Sequence, residues 1–389
     1  MAGDGIAAGV EAHREAMVVL RRDLHRHPEL AYRERRTGDL VTEALTAWGY
    51  EVHRGLGGTG VVGTLALGDG PRRVGIRADM DALPIVEATN LPYASGTEGV
   101  MHACGHDGHT ASLLAAARVL AERRGFSGTL HLIFQPAEEG GAGARRMIRD
   151  GLFERFPCDA VYGLHNWPGV PAGQFGFITG PAMAAADRVT IRVVGKGGHG
   201  AVPQQTVDPV VASASLVMAL QSVVSRNVSP LDAAVVTVGA IHGGQAANVI
   251  PDAVELRLTV RTFKPEVREG IEARITALAR AQAESYGATA EIEYLRGYPV
   301  LVNHAAETDF ARQVAAAQFG ADRIQADFPP ITASEDFAYM LEERPGSYLY
   351  LGNGDSAALH SPNYNFNDEI LPVAARYWVA LAERYLAAA

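Results

Sequence analysis

The stretch TLHLIFQPAEEGG, residues Thr129–Gly141, is a continuous apolar run followed directly by a polar turn. Strands of a parallel sheet have this character because helices cover both faces of the sheet. Two further apolar runs that end at polar residues are expected to be buried strands, Val74–Arg77 and Asp159–Leu164. A helix rich in Ala and Leu is expected over Thr110–Arg123. This alternation predicts an α/β domain with a mixed, mostly parallel sheet flanked by helices.

A different order of elements runs from about residue 187 to 296. The pattern predicts β-α-β-β-α-β, the order of a ferredoxin-like unit. Its expected elements are Arg188–Val194, Val207–Val228, Ala233–Ile241, Ala253–Phe263, Pro265–Tyr286 and Ala290–Leu295. A chain of 389 residues is also too long for one ordinary core. We therefore expect an inserted α+β satellite domain, 187–296, between two parts of a catalytic domain, 1–182 and 299–389.

Composition excludes several classes of protein. The formal net charge is -10 and no basic run stands out, which argues against a binder of nucleic acid or of an anionic membrane. The apolar run Val207–Val224 is broken by polar residues, which favours a buried amphipathic helix over a membrane span. Met1–Val10 has no secretory pattern and the chain has two cysteines, so a cytoplasmic protein is expected.

The segment MHACGHDGH, Met101–His109, contains three of the 13 histidines and one of the cysteines. Imidazole and thiolate are strong ligands for zinc-like ions, and Gly105 and Gly108 are expected to let a loop fold around one. A single histidine before a helix is more often a cap or a buried polar group. The density of this cluster favours metal binding.

The pair Glu138 and Glu139 directly follows a predicted strand. On a turn, one carboxylate can bind a metal while the other takes a proton from a metal-bound water. A solvated acidic turn before a helix is an equally good explanation of the pair alone. His165 and His360 also follow strands, and each alone is better explained as structural. In an open α/β sheet, however, such groups meet at the carboxyl ends of the strands.

Five separated motifs then resemble the aminoacylase/carboxypeptidase family of two-metal metallohydrolases. The Cys104 form of the second motif is similar to the amidohydrolase subgroup that includes hippurate hydrolase and auxin-conjugate hydrolases. The similarity runs from about Asp23 to the C-terminus. The motifs are RADMDALP (Arg77–Pro84), the His102–His109 cluster, EEG (Glu138–Gly140), GKGGHG (Gly195–Gly200) and NVIP (Asn248–Pro251).

The resemblance implies two divalent ions per subunit and a set of five ligands. Cys104 would bridge the ions at a position where peptidase relatives use Asp. Thiolate softness favours zinc, and manganese, cobalt or nickel remain open. The peptidase branch has a metal-binding histidine at the position of Arg77. Because arginine does not bind metal, the region around Asp79 is expected to support the site, with Asp79 orienting a ligand by a hydrogen bond and not binding the metal itself. The implied ligands are Cys104, His106, Glu139, His165 and His360.

The resemblance also implies the reaction and the remaining roles. A metal-bound water would cleave the amide of a small N-acyl amino acid, hippurate-like or N-acetylated, with Glu138 as general base and later acid. His199 would polarise the scissile carbonyl or stabilise the oxyanion, with reach across a dimer as one arrangement. Asn248 and Arg261 would hold the substrate, Arg261 through its carboxylate. The satellite domain would serve as lid or in dimerisation, giving a homodimer or larger homo-oligomer.

Three alternatives remain open from sequence. The chain could be a thiol hydrolase that uses Cys104 with a histidine base. It could be a non-catalytic small-molecule binder on the same fold, or an aminopeptidase or carboxypeptidase acting on short dipeptides. The acyl group is not determined, and the segment Ser334–Phe337 resembles a subgroup motif without an assigned role.

Overall fold

A computed structural model describes residues 2–387, and the chain divides into two structural units. The first unit contains Met1–Gly180, Val302–Pro329 and Asp336–Ala389. The second contains Pro181–Leu301 and Pro330–Glu335. Pro330–Glu335 therefore interrupts the first unit in sequence, and the first unit resumes at Asp336.

The helices and strands follow one another in chain order. The first run is α1 (Ala2–Glu11), α2 (Arg14–Arg26), α3 (Arg35–Ala47), β1 (Glu51–Leu56), β2 (Gly60–Leu67), β3 (Arg73–Asp79), α4 (His106–Arg123), β4 (Gly128–Gln135), α5 (Glu138–Gly141), α6 (Gly143–Arg149), α7 (Leu152–Arg155), β5 (Ala160–Pro168) and β6 (Phe175–Gly176). The middle run is β7 (Gly180–Met183), β8 (Ala185–Val194), β9 (Gly198–His199), α8 (Pro209–Asn227), β10 (Ala234–His242), β11 (Val249–Ile250), β12 (Ala253–Thr262), α9 (Pro265–Ser285) and β13 (Thr289–Arg296). The last run is β14 (Leu301–Asn303), α10 (Ala305–Phe319), α11 (Ala338–Glu343), β15 (Gly346–Gly354) and α12 (Leu371–Tyr385).

Within residues 2–387, the first unit is built on a seven-stranded sheet in the order β1-β2-β4-β3-β5-β15-β6. The four central strands β4, β3, β5 and β15 run parallel, and the strands at both edges are antiparallel. β3 and β4 are buried along almost their whole length, as expected for parallel strands covered on both faces. The predicted fold class, a mixed and mostly parallel sheet with flanking helices, is confirmed.

The second unit is built on an antiparallel sheet in the order β10-β12-β8-β13. β8 alternates between buried and more exposed residues, the pattern of a strand with one covered face. Helices α8 and α9 contribute to the core on that face. α8 begins where the Asp208 carboxylate accepts the N–H of Val210 at 2.8 Å, followed by Pro209 in the first turn. The order and pairing are those of the expected ferredoxin-like unit.

One helix among the described residues, α8, is long and apolar enough to cross a membrane. Its buried residues Ala212, Leu216, Leu220 and Val223 recur at intervals of three and four and form part of the core of the second unit.

The sequence placed the start of α4 wrongly. We expected a loop through His109 and a helix from Thr110, but the helix begins at His106. Gly105 precedes it in a left-handed conformation with φ 93°, which a glycine adopts without strain. Of the two glycines expected to shape a loop, Gly105 turns the chain, whereas Gly108 lies inside the helix.

Candidate active site and metal centre

The four parallel strands of the first unit place polar residues at one edge of its sheet. Asp79 ends β3, and the turn carrying Glu138 and Glu139 follows β4. His165 lies near the end of β5, and the loop after β15 carries His360. Parallel strands share the direction of their carboxyl ends, so these side chains converge in space although they are far apart in sequence.

The structure brings the five predicted metal ligands together. Cys104, His106 and His165 form one group of candidate ligands, and Cys104, Glu139 and His360 form another. Within each group the ligand atoms all lie within 4.8 Å of one another. Sγ of Cys104 belongs to both groups, so one donor atom lies beside both sets of candidate ligands.

Hydrogen bonds fix which ring nitrogens of the histidines face this centre. Nδ1 of His106 lies 2.9 Å from the carbonyl oxygen of Asp81, and Nδ1 of His165 lies 2.6 Å from that of Asn166. Each Nδ1 therefore donates to a carbonyl oxygen, so Nε2 is the ring nitrogen of each histidine that is available to a metal. Nε2 of His165 lies 3.4 Å from Sγ of Cys104. Within residues 2–387, the buried Nε2 of His106 has no hydrogen-bond partner.

The electrostatics of the centre also fit a cation. Burial and the neighbouring carboxylates of Glu139, Glu138 and Asp79 raise the pKa of the Cys104 thiol well above its usual value. Burial lowers the pKa of His106, but the carboxylates of Asp79, Asp81 and Glu139 together outweigh this effect and raise it to about 10. Several acidic groups thus meet a thiol in a buried space, an arrangement that divalent cations compensate. Soft thiolate, imidazole and carboxylate are the donors of a transition-metal site.

Two buried carboxylates hold the turn that carries Glu138 and Glu139. Asp81 accepts the backbone N–H of Glu138 at Oδ1, at 3.0 Å, and that of Glu139 at Oδ2, at 2.9 Å. Glu34 accepts the N–H of Ala137 at 2.9 Å. Ala137 has a left-handed φ of 55°, a strained conformation for a residue with a Cβ. The two acceptors offset this strain and fix the directions of both glutamates.

The structure also shows why the other histidines of the cluster are poor ligand candidates. Nδ1 of His109 lies 2.6 Å from the Asp79 carboxylate, and its Nε2 accepts the N–H of Asn166 at 3.1 Å. Both ring nitrogens are therefore engaged, although Asp79, His106 and His109 are close enough to hold an ion. His102 is buried and belongs to none of the candidate ligand groups among residues 2–387.

The remaining predicted residues lie in the second unit. His199 forms β9, whose residues pair with β11, and its Nδ1 accepts the N–H of Ala201 at 3.0 Å. The carbonyl oxygen of Asn248 accepts the N–H of Gly200 at 2.8 Å, so His199 and Asn248 belong to one small ladder. Arg261 lies on β12 and is half-buried, and Nη1 donates to Oγ1 of Thr259 at 2.5 Å.

Sequence reasoning missed the residues that support the centre. Asp81 and Glu34 hold the glutamate turn, and Asn166 donates from Nδ2 to the carbonyl oxygen of Cys104 at 2.7 Å. Asp81 lies in the motif RADMDALP at the end of β3, and this position was a signal for it. No sequence pattern indicated Glu34 or Asn166, because their partners lie far away in sequence.

Comparisons with known proteins agree with this geometry. Residues 75–384 match the family described as Peptidase family M20/M25/M40. The chain is 45% identical to the hippurate hydrolase of Campylobacter jejuni, over 94% of this chain and 96% of that one. It is 42% identical to the N-acetyl-L-cysteine deacetylase of Bacillus subtilis, over 95% and 88% of the two chains. The crystal structure of Bacillus subtilis YXEP, a dinuclear metal binding peptidase from the M20 family, superposes with a TM-score of 0.83 at 36% identity, covering 97% of this chain and 99% of that one.

Proposed function

Since the chain is a hydrolase that belongs to the peptidase family M20/M25/M40, we propose that it is a metal-dependent amidohydrolase of N-acylated amino acids. The observation that carries this proposal is the convergence of Cys104, His106, Glu139, His165 and His360 beside a further carboxylate, Glu138. The names of the hippurate hydrolase and the N-acetyl-L-cysteine deacetylase describe amides of this class.

The five converging side chains would hold two divalent ions, which when bound supply Lewis acidity toward water and toward the scissile carbonyl. Glu138 then serves as the general base that accepts the proton of the attacking water. The same carboxyl group donates this proton to the departing nitrogen, which makes the amine a better leaving group. Glu138 is buried, and His106 and Glu139 form a cluster of candidate ligands with it. This position beside the candidate ligands supports assigning both proton transfers to Glu138.

We assign substrate binding to residues of the second unit. His199 would polarise the scissile carbonyl and stabilise the oxyanion. Arg261 would pair with the substrate carboxylate, for which its planar fork of donors is suited, and Asn248 would donate from its amide. Burial lowers the pKa of Arg261, and a carboxylate partner would offset that desolvation. Loss of Arg261 should raise KM, whereas loss of His199 should lower kcat.

We propose zinc as the native metal. The thiolate that Cys104 would supply to the ions favours a borderline-soft cation, whereas the carboxylate and imidazole donors also suit manganese, cobalt and nickel. Elemental analysis of the purified protein, followed by reconstitution of the apoprotein with each metal, would decide between them.

The thiol-hydrolase alternative has one feature in its favour, since Sγ of Cys104 lies 3.4 Å from Nε2 of His165. A reactive cysteine needs a lowered pKa. Burial and nearby carboxylates instead raise the pKa of Cys104, and burial and His109 lower that of His165. Metal-independent thiolate chemistry is therefore disfavoured. Activity that survives chelation but not alkylation would reverse this conclusion.

We propose a cytoplasmic homodimer or larger homo-oligomer in which the second unit serves in dimerisation or as a lid, and the first unit carries the chemistry. The two parts of the catalytic domain are assigned to 1–182 and 299–389, and the satellite to 187–296. Sedimentation of the full chain, compared with a chain lacking 187–296, would test the assembly role.

The deciding experiment is Glu138→Gln, assayed with a panel of N-acyl amino acids on metal-analysed protein. The variant should retain two ions per chain and lose roughly 10²–10⁴-fold in kcat. The exposed Glu98 provides the matched control, and Glu98→Gln should leave kcat unchanged. Near-normal activity of Glu138→Gln would remove Glu138 from the base role. If no member of the panel is turned over with any metal, the substrate class is wrong.

A further inference from the structure

Two features of the sequence have no role in this mechanism, Arg77 and the segment Ser334–Phe337. The structure brings them together, although Arg77 and Asp336 are 259 residues apart. Nη2 of Arg77 lies 3.2 Å from Oδ1 of Asp336, and both side chains are buried. A buried arginine requires carboxylate partners to offset its desolvation, and Asp336 is one of them.

The carboxylate of Asp336 is fixed from several directions. Nε2 of Gln135 donates to Oδ1 at 2.7 Å, and the backbone N–H of Ala144 donates to Oδ2 at 2.9 Å. Nε of Arg77 in turn donates to Oε1 of Gln135 at 2.8 Å. These donors come from β3, β4 and α6. The side chain of Asp336 is therefore anchored to the frame of the first unit.

This anchoring directs the backbone of Asp336 toward the general base. The N–H of Asp336 donates to Oε1 of Glu138 at 3.4 Å. Arg77 also contacts a second carboxylate, since its Nη1 donates to Oδ2 of Asp79 at 2.6 Å. The same Asp79 oxygen lies 3.7 Å from Nε2 of His106. Arg77 thus joins a carboxylate beside the proposed ligands to the residue that contacts the base.

We propose that Arg77 and Asp336 are a positioning pair that orients the carboxylate of Glu138 for proton transfer. The inference rests on the proposed function. Arginine places several donors in one rigid plane, so a single side chain fixes Asp79, Gln135 and Asp336 together. A histidine ligand at position 77 would bind metal, whereas the arginine holds two carboxylates in place. The pair contacts neither water nor substrate in this role and acts through Glu138.

If the same contacts only stabilised the fold, substitutions of Arg77 or Asp336 would affect stability, metal content and kcat in a different pattern. If the pair only stabilises the fold, its loss should lower thermal stability and metal content, and its effect on kcat should be independent of Glu138. If the pair orients the base, its loss should lower kcat at constant KM and metal content. The effect should then vanish once Glu138 can no longer accept a proton.

The test is Asp336→Asn, which keeps the size of the side chain, made in the wild-type and in the Glu138→Gln background. In the wild-type background we expect roughly a 10–10²-fold loss in kcat, because small displacements of a catalytic group have effects of this size. KM should change less than about 3-fold, with two ions per chain retained. In the Glu138→Gln background the same substitution should change kcat less than about 2-fold.

Arg77→Lys is the second variant, for the case that Asp336→Asn does not fold. It keeps the charge but loses the planar fork, and we expect a loss in kcat of the same order. Arg123→Met is the control, since it removes an ion pair with Glu383 (Nε to Oε1, 2.8 Å) on α4 and α12; kcat should not change in either background.

Equal losses in both backgrounds, or loss of metal in Asp336→Asn, would overturn the positioning role while leaving the proposed function intact. Near-normal activity of Glu138→Gln would instead overturn the base assignment and the positioning role together. Metal content and unfolding temperature are measured on every variant, so that a folding defect is recognised independently of activity.

Discussion

The carboxylate of Asp81 lies 3.3 Å from Nδ1 of His106, and it also accepts the backbone N–H groups of Glu138 and Glu139. One side chain thereby orients a proposed ligand, the proposed base and a second proposed ligand. Asp81 is almost fully buried, so its hydrogen bonds are not exchanged with water and the arrangement is fixed before substrate arrives.

Asp81→Asn should therefore weaken metal binding and catalysis together. The amide keeps the shape of the side chain, but its Nδ2 is a donor facing a backbone N–H, so one of the two glutamates loses its acceptor. We expect roughly 10–10²-fold weaker metal retention against a chelator and a lower kcat at saturating metal. The exposed Asp69 gives the control Asp69→Asn. Unchanged metal affinity in Asp81→Asn would contradict the orienting role.

Gly108→Ala should destabilise the fold although alanine favours helices. A Cβ at position 108 would lie 2.3 Å from Cε2 of Phe366, which the packed ring cannot accommodate without moving. We expect a loss of about 1–3 kcal/mol in the free energy of unfolding, measured with denaturant and relieved in part by Phe366→Leu. Gly270→Ala is the matched control within α9, where nothing lies within 4 Å, and it should stabilise by about 0.5–1 kcal/mol. Equal effects of the two substitutions would refute the steric explanation.

His25 should make stability depend on pH. Burial lowers its pKa, but hydrogen bonds to the carboxylates of Asp107 and Glu87 outweigh this effect and raise it to about 9. The folded value exceeds the unfolded value of about 6.5. The contribution to stability is therefore complete below about pH 6.5 and is lost as pH rises through about 9.

His25→Asn should accordingly lower the free energy of unfolding by on the order of 1–3 kcal/mol at pH 6, and the deficit relative to wild type should shrink by about pH 9.5. Denaturant titrations at several pH values provide the measurement. His27→Asn, whose side chain is 44% exposed, should show no comparable trend. A deficit that stays constant from about pH 6 to 9.5 would show that packing, and not charge, explains the loss.

The sheet and its order of elements could be predicted because their signals are local. Continuous apolar runs such as Thr129–Phe134 indicate strands covered on both faces, and the alternation around Arg188–Val194 indicates a strand with one covered face. The start of α4 could not be placed, because Gly105 ends the loop through its left-handed backbone. The same glycine is equally compatible with a longer loop.

The candidate site could be predicted in kind but not in its supports. The sequence indicated a metal cluster, and the family resemblance supplied the five proposed ligands and the proposed base Glu138. Spacing alone could not show which of His102, His106 and His109 is a metal ligand. That choice depends on partners distant in sequence, such as Asp79 and Asn166 for His109. The contact of Asp336 with Arg77 was hidden for the same reason, because it spans 259 residues.

Cys104 is the residue whose replacement should change the metal rather than the reaction. Its Sγ is the donor shared by the two candidate ligand groups. Cys104→Asp should still bind two ions, because a carboxylate can bridge as well, but a harder donor should shift preference from zinc toward manganese. Competition with a chromophoric chelator, measured for both metals, gives the ratio of their dissociation constants. Cys104→Ser is the comparison, since a hydroxyl is a weak ligand when protonated, and it should lose affinity for both metals. If Cys104→Ser retains two ions at wild-type affinity, Cys104 is not a metal ligand and the pairing of the two groups through one thiolate is wrong.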